Sequence, residues 1–399
     1  MSAGSVQFIL LLSIMNPLIR HRLVFFVSIA TAIAIISTGC RQLPPKTDSQ
    51  DTGRSAPSGV AVRTDVPATP RTSWHETRWD ELPGWAADDL GAVWPAFRES
   101  CRAIGRKPNW ASVCAAASML PDRPSDQEAR QFFEEHFVPR QSVAGDGSVE
   151  GLVTGYYEPL IYGSRTQLPG TPWPILAPPS DLSQGRKAAP YLTRAELEKR
   201  RAEGRLPARA LFWTADPIDL FFLQVQGSGQ IELTDGSRVR VGFAAHNGHP
   251  YRSIGRWLIE HGELTVNQAS MEGIRQWALR NPHRLNELLN SNPRYVFFRE
   301  LPVGEGGPLG ALGVPLHAER SVAVDPVHVP LGAPIFLSTT WPLSDKPLNR
   351  LVMAQDTGSA IKGAVRVDFF WGFGDGAGEQ AGKMRQQGKV WVLWPKGAK

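Results

Sequence analysis

The chain is expected to be mainly β with inserted helices, and three observations carry that expectation. From Gly151 onward, short apolar runs alternate with Gly and Pro, as in GLVTGYYEPLIYG, DLFFLQVQGSGQIEL and SRVRVGFAAHNG. That texture marks strands bounded by turns. TDGS at 234–237 stands between IEL and RVRV and has the composition of a hairpin turn. Apolar residues at three-and-four spacing are confined to separate blocks, which read as helices set between the strands.

Taken in order, the chain opens with Arg20-His21-Arg22, the apolar run LVFFVSIATAIAII and then STGC, ending at Cys40. A basic patch, an apolar stretch and small residues before a cleavage point describe an export signal over 1–40. Cys40 after Thr38-Gly39 resembles the lipidation site of a bacterial lipoprotein, with Ser37 where an aliphatic residue is usual. A plain membrane anchor is the alternative. Met15 competes with Met1 as the start, because MNPLIRHRL would open a signal of ordinary length. Residues 41–73 are rich in Pro, Ser, Thr and Gly and read as a flexible tether. Arg41 after the lipidated cysteine, by resemblance to bacterial sorting rules, favours the inner face of the outer membrane. The protein is thus expected in the periplasm.

From 74 to about 139 the pattern is helical, with PAFRESCRAIG and SDQEARQFFEEHFV as its clearest blocks. With Cys40 lipidated, Cys101 and Cys114 remain as an even pair in an oxidising compartment, which predicts a disulfide; two buried free thiols are the alternative. Further helices are expected in TRAELEKRRAEG, SIGRWLIEHGEL and SMEGIRQWALRNPHRLNELLN. From Tyr295 the chain is expected to be strand and turn up to KVWVLWP.

Length and charge limit the function classes. The 399 residues, 42% hydrophobic and 20% charged, suit a globular protein of two domains or one large one. The net charge of +5 is not gathered into a long basic run, so nucleic acid is not an expected partner. An anionic matrix or membrane surface fits better.

Candidate site residues come next. In TGYYEP, Thr154, Gly155, Tyr156 and Tyr157 lie on a strand whose adjacent tyrosines face opposite sides. One of them could stack on sugar rings; ordinary strand packing is the alternative. FLQVQGSGQ, read as a strand, puts Gln224, Gln226 and Ser228 on one face, suited to hydroxyls and N-acetyl groups of a polymer. A water-facing edge strand is the alternative. His246 and His249 sit in a turn without a third ligand at matching spacing, so no metal site is expected.

VMAQDTGSAIKGAVRVDFFWGFG at 352–374 places Asp356 and Asp368 among apolar strand residues, with Lys362 and Arg366 between them. A buried carboxylate is costly unless it is paired or protonated. These acids are therefore either structural pins or groups with displaced pKa values. DTGS at 356–359 also matches the active-site tetrapeptide of aspartic proteases. Such enzymes need two aspartates sharing a proton, and the other DTG, at 51–53, lies in the tether.

Together, SVAVDPVHVPLGAPIFL, AQDTGSAIKG and VRVDFFWGFGDGAG resemble the three-aspartate (3D) domain, with Asp325, Asp356 and Asp368 as the three. With TGYYEPLIYGSRT, FFLQVQGSGQ, GHPYRSIGRWLIE and NPRYVFF in order, the chain from about Trp79 resembles the membrane-bound lytic murein transglycosylase A (MltA) family. That resemblance implies a double-psi β-barrel from 74–159 and 306–399, a second, smaller β-barrel-like domain from 160–305, and a groove between them for a peptidoglycan strand. It implies cleavage of the β-1,4 bond between N-acetylmuramic acid and N-acetylglucosamine, a 1,6-anhydromuramic product, and no cofactor. Asp368 matches the family's catalytic aspartate, and Asp356, its neighbour in the barrel, is expected to belong to the catalytic pair. Asp325, before Pro326, is read as structural. Lys362 and Trp371 are expected to touch substrate, with Thr154 to Tyr157, Gln224, Gln226 and Ser228. Other cell-wall enzymes are conceivable partners. A non-catalytic glycan-binding protein on a related barrel is the rival function.

Overall fold

The structure, a computed structural model, describes residues 73–182, 189–302, 304 and 306–398. The export signal, Cys40 and the tether lie outside the described residues. No described helix is long and apolar enough to cross a membrane.

The chain enters through β1 (Ser73–Glu76) and then builds α1 (Trp94–Ile104), α2 (Pro108–Ala117) and α3 (Asp126–His136). Pro95 and Pro108 open the first two helices, where a missing N–H costs nothing. Ser125 and Glu128 form a capping box on the third. Trp94, Phe97, Phe132, Phe133 and Phe137 interlock as one aromatic cluster. A disulfide joins Cys101 to Cys114, across a separation of 13 residues. A cross-link of that reach contributes about 3 kcal/mol, while each fully buried aromatic contributes about 1.5–3 kcal/mol. The cluster therefore carries more of this subdomain's stability than the cross-link.

Then follow β2 (Phe137–Val143), β3 (Gly151–Glu158), β4 (Leu160–Ser164), β5 (Trp173–Leu176), α4 (Arg194–Ala202), β6 (Ala210–Thr214) and α5 (Pro217–Gln226). The middle of the chain continues with β7 (Ser228–Leu233), β8 (Arg238–His246), α6 (Ile254–Glu260), α7 (Met271–Arg280), α8 (Leu285–Asn290) and β9 (Val296–Leu301). It ends on β10 (Ser321–Val324), β11 (Pro334–Thr340), β12 (Pro347–Asp356), β13 (Val367–Phe373), α9 (Gly374–Lys383) and β14 (Arg385–Pro395).

Two sheets divide these strands. The first runs β1-β2-β14-β11-β12-β10-β13-β3, and β14 also pairs with β3, so the ring from β14 round to β3 closes into a barrel. Inside it β10 and β12 are parallel, as are β13 and β3. The second sheet runs β5-β6-β4-β7-β8-β9. Its core is Ile161, Ile175, Phe212, Ile231, Val241 and Phe298. The helices α5 to α8 pack a separate apolar cluster around Phe221, Leu258 and Trp277. The chain passes from one sheet to the other at Pro159, and returns after β9.

Buried Arg240 of β8 sits at both crossings. Its Nε lies 2.8 Å from Glu158 Oε1 at the end of β3. Its Nη1 donates to the Gly307 carbonyl on the return path, at 3.5 Å.

Two local expectations fail. DLFFLQVQ is not a strand but most of α5. Asp216 caps it through the Ile218 and Asp219 amides, Pro217 takes its first position, and Gly227 ends it at φ 81°. These are strong start and stop signals, and they override the β propensity of Phe and Val. GDGAGEQAGK was expected as turn but forms α9. Several glycines in one helix cost about 1 kcal/mol each. Here they allow contact, since a Cβ at Gly378 would meet the Tyr157 ring at 2.8 Å. From the strand side, a Cβ at Gly155 would meet Ala381 Cα at 2.9 Å. The helix therefore lies flat on β3, and packing offsets its weak propensity.

Candidate active site

Strand register brings the site together. Asp368 in β13 stands opposite Thr154 of β3 on one side and Ala323 of β10 on the other. The Thr154 hydroxyl donates to Asp368 Oδ1 at 2.5 Å. Arg366 Nη2 donates to the same hydroxyl oxygen at 2.8 Å, and its Nη1 donates to the Leu152 carbonyl at 3.2 Å. Burial pushes the Asp368 carboxyl above the usual range, against the opposing pull of Thr154 and Arg366. Burial in the apolar strand drives the rise, and no second carboxylate is among its causes.

Asp356 ends β12. Its Oδ1 accepts from the Ala311 and Thr357 amides, each at 2.9 Å, and its Oδ2 accepts from the Tyr156 hydroxyl at 3.1 Å. Burial raises this carboxyl too, and those three donors oppose the rise. Tyr156 feels both acids: burial first, then the charges of Asp356 and Asp368, hold its hydroxyl well above its ordinary pKa. Its ring rests on Phe370, with centroids 5.1 Å apart.

Asp368 lines a cleft. The 358–361 loop of the barrel lines one side. Gln224, Val225, Tyr251 and the 292–296 segment line the other. A second cleft continues from Val225 and Tyr251 to Gln226, Tyr157, Gly155 and Met271. The clefts thus run between the closed barrel and the inserted helices.

The remaining expected residues distribute unevenly. Tyr157 is buried; its amide donates to Gln226 Oε1 at 3.2 Å and its hydroxyl to Met271 Sδ at 3.6 Å. Burial drives its hydroxyl up to about 12. Gln224 and Gln226 lie on the last turn of α5 and not on a strand face, so they do not form a row with Ser228. Gln224 is buried and accepts from Arg194. Ser228 opens β7 opposite Gly242 and lines neither cleft. Trp371 faces the core, with its indole N–H on Met384 Sδ at 3.3 Å and its ring against Phe369 and Trp341. Strand alternation explains this, because a residue three along from Asp368 points to the opposite face. Lys362 is exposed and stands 3.9 Å from Asp325. Asp325 is buried, taking the Val327 amide on Oδ1 and the Gly363 amide on Oδ2, which pins two loops. His249 Nε2 contacts the Tyr191 carbonyl at 2.8 Å and His246 Nδ1 accepts from Gly248, both ordinary turn bonds.

Sequence reading missed Arg194, Tyr251, Asn292 and Arg294 in the first cleft. The last three fall in PYRSI and NPRYVFF, motifs quoted for the family resemblance without a role.

Residues 152–299 match the family model for the MltA specific insert domain, and 320–394 match that for the 3D domain. The membrane-bound lytic murein transglycosylase A of Escherichia coli K12 is 35% identical over 259 residues. The match covers 60% of this chain and 64% of that protein, so it spans under two thirds of the relative's length. Among solved structures, MltA from Neisseria gonorrhoeae shares 40% identity at TM-score 0.72, covering 82% of this chain and 94% of that one. The lytic transglycosylase LtgG of Burkholderia pseudomallei shares 49% at TM-score 0.59, covering 82% and 96%. E. coli MltA with bound chitohexaose shares 30% at TM-score 0.64, covering 81% and 94%. With these matches in sequence and structure, the chain belongs to the membrane-bound lytic murein transglycosylase A family.

Proposed function

We propose that the protein is a lytic transglycosylase that cuts the β-1,4 bond between N-acetylmuramic acid and N-acetylglucosamine in peptidoglycan. The carrying observation is Asp368. It is a carboxyl held above its usual pKa by burial, oriented by Thr154, at the wall of a cleft between two lobes. The relatives' names and the chitohexaose seen in the E. coli protein support a glycan as ligand.

In this reading Asp368 donates its proton to the glycosidic oxygen as the C1–O bond breaks. The muramic C6 hydroxyl then bonds to C1 and gives its proton to Asp368. Atoms balance without water, and the acid is regenerated. Attack by a group on the same sugar gains the large advantage of an intramolecular reaction, so one carboxyl suffices where hydrolysis needs two. Asp356 and Tyr156 act as positioning residues. Residues 74–159 and 306–399 form the catalytic domain, and 160–305 supplies the facing wall. Cys40 anchors the protein by lipid to the outer membrane, and the tether lets the domain reach the wall.

Mass spectrometry of digested sacculi tests the reading. The expected muropeptide is one water lighter than the hydrolysis product. A reducing muramic acid end as main product would mean that water attacks, and the single-acid mechanism would be wrong.

A further inference from the structure

The first cleft holds two guanidinium groups that serve no ion pair among the described residues. Arg194 is 4% exposed. Its Nη2 donates to Gln224 and to the Arg294 carbonyl, while its Nε is buried without a hydrogen-bond partner among the described residues. Its guanidinium lies against the rings of Phe221 and Tyr295, at 4.8 and 5.1 Å. Burial lowers its pKa to about 10, still charged at any physiological pH. Arg294 lines the same cleft and gives Nη1 only to the His249 carbonyl, at 3.2 Å. Glu198, whose field reaches Arg194, is itself paired with Arg201 at 2.7 Å. Asp368 is the one acid in the lining, and burial favours its neutral form. A buried cation without a carboxylate is costly, and a planar guanidinium fork matches a carboxylate.

Resting on the activity proposed above, we propose that Arg194 and Arg294, with Gln224 holding Arg194 in place, form an anion subsite for the acidic substituent on O3 of muramic acid. Its carboxylate docks on the α5 side of the cleft and sets the muramic ring against Asp368. Charge then distinguishes peptidoglycan from a neutral N-acetylglucosamine polymer. The carboxylate can come from the lactyl group or from the stem peptide.

Binding of three ligands to the full-length chain, in the uncut Asp368→Asn background, tests this. They are chitohexaose, glycan strands stripped of peptide by an amidase, which bear lactyl carboxylates, and peptide-bearing strands. Arg194→Gln is buried enough to threaten folding, so Arg294→Gln runs beside it. Each is expected to weaken binding of the anionic strands about tenfold, the scale of one charge-assisted hydrogen bond, and to leave chitohexaose binding unchanged. Loss on stripped strands assigns the lactyl carboxylate; loss confined to peptide-bearing strands assigns the stem. Equal loss on chitohexaose, or no loss on either strand, would overturn the subsite. A wild-type chain that shows the charge preference yet releases nothing from sacculi would overturn the proposed activity and leave the subsite standing.

Discussion

The end of β12 and the middle of β13 each bury an aspartate, and they hold it differently. Asp356 is gripped by two fixed backbone amides and a tyrosine hydroxyl. Asp368 receives one hydroxyl, from Thr154, on Oδ1, and no described residue bonds its Oδ2. Burial raises both carboxyls. The two amides hold Oδ1 and cannot turn away, so a proton on Asp356 must take Oδ2 and give up the bond donated by the Tyr156 hydroxyl. The Asp368 proton can sit on Oδ2, on a side chain that lines the cleft. The comparison teaches that desolvation makes an acid expensive to ionise, while the geometry of its donors decides whether it can carry a proton toward a substrate.

The sharpest way to break this contrast is to neutralise each acid. Asp368→Asn is expected to lower release of soluble muropeptides from sacculi by about a thousandfold or more, the upper part of the general-acid range. Asp356→Asn is expected to cost about tenfold, because it disturbs Tyr156 and the 311 loop but removes no proton donor. Equal losses would erase the distinction between the two sites.

A smaller effect is expected from Thr154→Val. The Thr154 bond favours the ionised form of Asp368, so removing it should raise that pKa further. The alkaline limb of the pH–rate profile would then move to higher pH, with a modest change in maximal rate. A shift to lower pH would show that the hydroxyl stabilises the protonated form instead.

The smallest effect concerns stability. The folded pKa of Asp368 is raised, so the native state binds the extra proton above the unfolded value. Stability is thus fully present below that value and is lost as pH rises through the folded pKa. Asp368→Asn removes the loss. Its Tm is expected to exceed wild type by a few degrees at pH 8 and by less at pH 4. A lower Tm at pH 8 would mean that the ionised carboxylate makes contacts worth more than its burial costs.

Much of this was legible before the structure. Alternation around Thr154 and Asp368 predicts strand, and DTG between two apolar runs predicts the loop that carries Asp356. The hairpin at 234–237 joins β7 to β8 as its composition demands. What failed had physical causes. FFLQVQ has strand-forming residues, but its fate was decided at its ends, by Asp216-Pro217 and Gly227. The helix α9 was hidden because glycine disfavours helices in isolation, and its close packing on Gly155 and Tyr157 of β3 offsets that cost. Arg194 could not be found from spacing, since a helix-surface arginine and a buried one look alike in TRAELEKRR. The closure of the barrel came only with the family resemblance and not from local pattern, because β3 and its neighbours are far apart in the chain.

That separation has its own consequence. The Thr154–Asp368 bond joins residues 214 apart. Both hydrogen-bonding neighbours of β3, the strands β13 and β14, come from the last part of the sequence. As the chain is made from its N-terminus, β3 is left with two open edges until β13 and β14 are made, whereas every strand of the second sheet is complete by Leu301. A chain cut short after β9 contains the whole inserted sheet and neither aspartate of the site. One that stops after β13 carries both but leaves the barrel unclosed. The site is therefore assembled only once β14 is made, and any shorter chain lacks the closed barrel that holds Asp368 against Thr154.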